Sequence, residues 1–334
     1  MLSLPRTTDV TVPLSTQPVL VTVVDTEEEF DWAAPFSRAN TRVTAMRHVS
    51  RAHKVFAKYG VKPTYVVDYP VAAQDDGVKP IEELYRSNVC AIGAHLHPWV
   101  NPPYSEMVGP SASFTSNLDP ALQSSKLRAL TDIIGERFNL QPRVFKAGRY
   151  GVSRTTTELV AGMDYLVDNS VCPRMDFTGA GGPSFVEFDA RPFFLTPTLL
   201  ELPCTVDFVG WLGPAGPAVH RAASASVFDR LRAVGVLSRL RAVRRIMLSP
   251  EGNTLEEMCA LARGLYRRGL RVFTLSYHSP SLEPGHTPYV RSDRDLETFL
   301  SCLDGFCDFF MDELRGRTMT AEALRDELMS VSAS

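Results

Sequence analysis

From residue 19 almost to the end of the chain, short apolar runs that read as strands alternate with segments of helical spacing. No other feature constrains the fold as much. Alternation of this kind calls for a parallel sheet covered by helices, and sustained over so many units it predicts a barrel. The strand-like runs are 19–24, 62–69, 90–97, 143–151, 165–171, 199–203, 244–252 and 271–279. The helical segments are 40–59, 79–88, 121–138, 153–162, 224–242, 254–268, 292–315 and 320–330, with Gly60 a natural stop for the first. Residues 98–120 and 172–220 are rich in Pro and Gly and read as loops with short strands. A loop as long as 98–120 is usually functional. No clean linker or repeat interrupts the pattern. The expected organisation is one α/β domain: an extension over 1–18, a (β/α) barrel over 19–315, and a C-terminal helix and tail over 316–334.

A chain of 334 residues can bury a substantial core, and 44% hydrophobic with 22% charged residues is ordinary for a globular enzyme. The net charge of −3, with no basic block beside clustered aromatics, argues against nucleic acid as a partner. The Arg-rich run from Arg230 to Arg245 alternates with Leu and Val and reads as a solvated helix face. The six cysteines form no C-x-x-C pair and read as reduced core residues. The first 18 residues, broken by Pro and polar positions, do not resemble a signal peptide, and no later stretch has the length of a membrane span. A cytoplasmic location is therefore expected; oligomeric state is not legible.

The run Val19–Val24 ends in Asp25-Thr26-Glu27-Glu28-Glu29. Side chains alternate on a strand, so Asp25 and Glu27 leave its end on one face, where parallel α/β folds carry their chemistry. They read as a general base beside a metal ligand, or as acids at a helix N-terminus. His95 and His97, also two apart, point the same way from the third strand and suggest metal ligands; Pro98 stops that strand. Arg149, in a Gly-flanked turn, could hold a carboxylate or simply be a surface residue. Asp168 could be a helper carboxylate or a turn former, and His278, at the end of the last strand, a general acid. Trp99 and Tyr104 on the 98–120 loop, together with Tyr150, read as a candidate substrate wall. GAGGP at 179–183 lacks the context of a dinucleotide loop, and no G-x-S-x-G elbow is present.

Five pieces in order, VDTEEEFDW, IGAHLHPWVNPP, FKAGRYG, YLVDNSVCP and LSYHSPSLEPGHTPYV, resemble the polysaccharide deacetylase (NodB-homology, carbohydrate esterase family 4) superfamily, and within it the WalW-like branch. The resemblance spans about residues 19–310. It implies a deformed (β/α) barrel and a divalent metal, zinc as a rule. It also implies hydrolysis of an N-acetyl group on an amino sugar or on a glycan or lipopolysaccharide precursor. On this resemblance Asp25 is the catalytic base and Arg149 orients it. Glu27, His95 and His97 hold the metal, Asp168 falls in the fourth motif, and His278 is the acid. Two departures stand out: Thr26 separates the two acids, which the family has adjacent, and Trp99 stands four residues after His95, where the family has its second histidine. Strand phase makes His97 the ligand instead. Alternative readings are an amidohydrolase acting on a small non-polymeric amide, and a metal-free glycan-binding or scaffold protein.

Overall fold

The computed structural model of the protein describes residues 4, 5, 8–10, 12, 13, 15–210 and 244–332. The strands are β1 (Thr8–Asp9), β2 (Val19–Thr26), β3 (Thr64–Val67), β4 (Ala91–Leu96), β5 (Val144–Ala147), β6 (Val167–Asp168), β7 (Phe193–Phe194), β8 (Leu200–Glu201), β9 (Val206–Val209), β10 (Arg244–Met247), β11 (Val272–His278) and β12 (Arg317–Thr318). The helices are α1 (Ser50–Lys58), α2 (Tyr69–Ala73), α3 (Asp75–Arg86), α4 (Pro120–Phe138), α5 (Arg154–Gly162), α6 (Leu255–Arg267), α7 (Asp293–Asp312) and α8 (Ala321–Ser332). The helix expected at 224–242 and most of the Arg-rich run lie outside the described residues. Arg244 and Arg245 of that run belong to β10.

The main sheet runs β1-β7-β8-β6-β5-β4-β3-β2-β11, with β12 also on β2. Its central strands, from β8 through β6, β5, β4, β3 and β2 to β11, are parallel. Among the described residues the curled sheet does not close on itself. The antiparallel ribbon β9–β10 fills the gap, joined to the flank of β11 by isolated hydrogen bonds: Ser276 N–H to Leu248 O (3.2 Å) and Thr274 N–H to Thr205 Oγ1 (2.8 Å). This is the barrel expected from the alternation, deformed as the resemblance implies.

Strand phase organises the interior. On β2, Val19, Val21 and Val23 join one apolar cluster, with Val66, Val144, Val167, Leu200 and Val272 of neighbouring strands and Leu324 and Leu328 of α8. Leu20 and Val24, on the other face, join a second cluster with the surrounding helices. The first face points into the barrel. Continued upward by two-residue steps it reaches Asp25, and then Glu27, from β2. It reaches Asp68 from β3, His95 and His97 from β4, Lys146 from β5 and His278 from β11. The barrel is thus apolar at its amino end and charged at its carboxyl end.

Local signals set the helix ends. Thr254 with Glu257 and Ser292 with Asp295 form capping boxes at α6 and α7, and Asn139 in the left-handed region terminates α4. All six cysteines are free and buried. Among the described residues no helix is long and apolar enough to cross a membrane.

Candidate active site

Glu27 Oε2 lies 3.5 Å from His95 Nε2 and 3.5 Å from His97 Nε2, all three residues buried. The two imidazoles are fixed from behind. His95 Nδ1 faces the Lys146 carbonyl at 3.1 Å, and His97 Nδ1 faces Glu28 Oε2 at 2.7 Å. With Nδ1–H donating to those oxygens, each Nε2 lone pair points into the site, the usual arrangement behind a metal-binding histidine. Glu28 is held in turn: Oε1 accepts the Trp99 indole N–H at 2.8 Å, and its backbone N–H donates to Asp68 Oδ2 at 2.6 Å. Gly148 makes room for this packing, because a Cβ there would stand 2.3 Å from His97 Cδ2.

Two further pairs flank the triad. Lys146 Nζ donates to Asp25 Oδ1 at 2.7 Å. Glu251 Oε2 is 2.8 Å from His278 Nδ1, and Glu251 Oε1 accepts the His278 backbone N–H at 3.1 Å. His278 Nε2 is aimed at Asp25 Oδ2, 3.7 Å away. These groups share a cleft of about 410 Å³ with Phe30, Trp32, Phe36, Trp99, Tyr150, Met175, Phe177, Met247 and Tyr289.

Among solved structures, a Mycobacterium smegmatis protein assigned as a polysaccharide deacetylase superposes with a TM-score of 0.53 at 13% identity, over 99% of this chain and 96% of that one. The chain has the polysaccharide deacetylase fold. More distant likenesses include the chitin deacetylase of Colletotrichum lindemuthianum (TM-score 0.43, 12% identity, 92% of this chain and 88% of that one). Another is a CE4-family pseudoenzyme from Bacillus anthracis (TM-score 0.43, 11% identity, 93% and 66%). No family model and no curated protein matches the sequence.

In this deacetylase-fold chain the protonation pattern suits a cation. Burial pulls His95 below the ordinary imidazole range and His97 down to about 4, so both imidazoles are neutral at neutral pH. Burial raises Glu27, and its Oε1 is buried without a hydrogen-bond partner. An unsatisfied buried carboxylate oxygen beside two inward imidazole nitrogens is a donor set that fits a divalent ion. Burial also pushes Asp25 upward, but the charges of Lys146, His95 and His278 outweigh it and hold the carboxyl below its usual range. His278 goes the other way: burial opposes its charge, yet Glu251, with Glu27 and Asp25, raises it to about 10.

Several expected residues are placed differently. Arg149 lines the cleft but does not hold Asp25. Its guanidinium donates to Ser113 Oγ and to Pro110 O (3.3 Å) and lies over the Phe114 ring at 4.1 Å; Lys146 occupies the place expected for it. Asp168 is fully buried and does not face the cleft. Its neighbour Val167 takes the inward phase, so Asp168 turns away beside Glu201, its register partner, and accepts from Ser170. Tyr104 is 44% exposed outside the cleft, its ring facing the cationic groups of Arg38 and Lys126. Trp99 lines the cleft, but only 1% of it is exposed, and its ring stacks on His97 (centroids 4.3 Å) as a support. Tyr150 does line the cleft. The base of the 98–120 loop is pinned by Lys126, whose buried ammonium donates to the carbonyls of Pro98 (2.9 Å) and Pro103 (2.7 Å).

Lys146, Glu251, Glu28 and Trp32 were not singled out from sequence. Lys146 was findable: it follows Val144 by two on a strand, so its phase is inward. Glu251 lies past a strand end in SPEGN, where only the fold brings it to His278.

Proposed function

We propose that the protein is a metal-dependent hydrolase that removes N-acetyl groups from an amino sugar or a glycan or lipopolysaccharide precursor, with zinc as the resident ion. One observation carries this reading: Glu27, His95 and His97 form a buried three-donor group beside a carboxylate fixed by Lys146 and an imidazole fixed by Glu251, all at the carboxyl end of the barrel.

Glu27, His95 and His97 would hold the ion. When bound there, a divalent cation supplies Lewis acidity, polarising the acyl oxygen and acidifying water. Asp25 stays ionised beside Lys146, and its Oδ2, free of that lysine, takes a proton from the attacking water. His278, charged at neutral pH, gives its Nε2 proton to the amide nitrogen as the carbon–nitrogen bond breaks, leaving acetate and a free amine. The proton taken by Asp25 then restores His278 across their short separation. Trp32 meets the His278 ring edge-on at 4.9 Å and Tyr289 at 5.6 Å, and both are partly exposed, offering a stacking surface for a sugar ring.

Elemental analysis of purified protein, paired with acetate release from N-acetylglucosamine, its oligomers and nucleotide-linked forms, tests the reading. Bound zinc and released acetate are expected, and His95→Ala or His97→Ala should lose both. Full turnover by metal-free His97→Ala protein would refute it.

A further inference from the structure

One wall of the cleft is apolar over a larger area than an acetyl group requires. His278 delivers its proton to the departing nitrogen, so the amine portion lies towards His278, Trp32 and Tyr289. The acyl portion then extends past Asp25 and Lys146. There the Tyr150 ring lies 5.6 Å from Lys146 Nζ and stacks on Phe177 (centroids 5.5 Å, 23° between planes). The Tyr150 hydroxyl donates to Met247 Sδ at 3.9 Å, and Met175 completes the wall. All four side chains are half-buried, their backs packed on the core and their remaining surface lining the cleft.

Backbone conformation makes the same point independently. Arg149 and Tyr150 are consecutive non-glycine residues with φ of 53° and 60°. L side chains rarely enter this left-handed region, and two in succession persist only where the surroundings enforce them, commonly at functional sites. Here the strained turn sets Tyr150 over Lys146 and against Phe177.

Resting on the amide-hydrolase reading and extending it, we propose that Tyr150, Met175, Phe177 and Met247 form an acyl pocket for N-acyl groups several carbons longer than acetyl. Acetyl would touch only the part of this wall nearest the reacting carbon and leave the rest against water. A flexible aliphatic chain covers it, and two methionines adapt to such a chain's shape.

The test compares N-acetyl- with N-hexanoylglucosamine on the full chain loaded with zinc, following amine release for kcat/KM and calorimetry for binding. The hexanoyl compound is expected to be preferred roughly tenfold or more in kcat/KM and to bind tighter. Met175→Trp, which fills the pocket, should lower the hexanoyl-to-acetyl ratio roughly tenfold. Acetyl preferred or equal in both measurements overturns the pocket. Tighter hexanoyl binding with no hydrolysis of either compound supports the pocket and sinks the hydrolase reading instead.

Discussion

Each half of the acid–base pair is tuned by one buried partner. Replacing Lys146 with Met removes the cation that keeps Asp25 ionised while preserving bulk. Asp25 should drift upward, the acidic limb of the kcat/KM profile should move to higher pH, and activity at neutral pH should fall by about 10²–10⁴-fold. Arg149→Met should leave that limb in place, since Arg149 binds Ser113 and the Pro110 carbonyl. Glu251→Gln removes the charge that raises His278 to about 10, so the imidazolium should be lost at lower pH and the basic limb should shift downward. A pH–rate series on the three variants checks all of these. Much of this level was legible in the sequence: alternation alone puts Asp25 with Glu27 and His95 with His97. The orientation of Asp168 is not legible, because β6 contributes only two residues, too few for spacing to reveal which one faces inward. The phase that turns Lys146 inward is legible, but a lysine within FKAG has no local mark distinguishing a buried ion pair from a solvated side chain.

Among the elements, the β5 turn bears most directly on the site, because Gly148 lets the chain pass against His97. Gly148→Ala places a methyl group where the imidazole now lies and should push His97 off its position. Zinc content after dialysis, read by elemental analysis, should drop well below wild type while far-ultraviolet circular dichroism stays unchanged; full zinc retention would contradict the packing described. The expected strands at 62–69 and 90–97 appear as β3 and β4, shortened at their ends, because apolar runs bounded by turn residues mark strands well. The helix expected over 40–59 was only partly right: residues 44–48 form a 3₁₀ turn, and α1 begins at Ser50. Helical spacing does not separate those two geometries. The pairing of Thr8–Asp9 with Phe193–Phe194 was not legible, since it depends on a distant partner rather than on local pattern.

At the level of the whole molecule, the C-terminal segment closes the amino end of the barrel. β12 pairs with β2, and Ala321, Leu324 and Leu328 of α8 are buried in the inner cluster. Each buried leucine contributes about 1.5–3 kcal/mol, so removing residues 316–334 should lower the melting temperature by many degrees or leave the chain insoluble. An unchanged melting temperature would show that this closure is dispensable. Stability should also depend on pH through His278. Its charge is favoured in the folded state, so that contribution is complete below about 6.5, the ordinary value, and is lost as pH rises towards 10. Thermal melts across that window should show a steeper alkaline decline for wild type than for Glu251→Gln.

The amino half of β2 lies between partners that arrive late in synthesis. Its register pairs Val19 with Val272 on one edge and with Arg317 on the other. A nascent chain can pair the carboxyl half of this strand with β3 early, but must hold its amino half and its β11 edge unpaired while some 250 further residues emerge. Contacts so distant along the chain make for slow folding and long exposure of a sticky edge. Yield in a host should thus depend more on translation speed, temperature and chaperone supply than on the stability of the finished barrel.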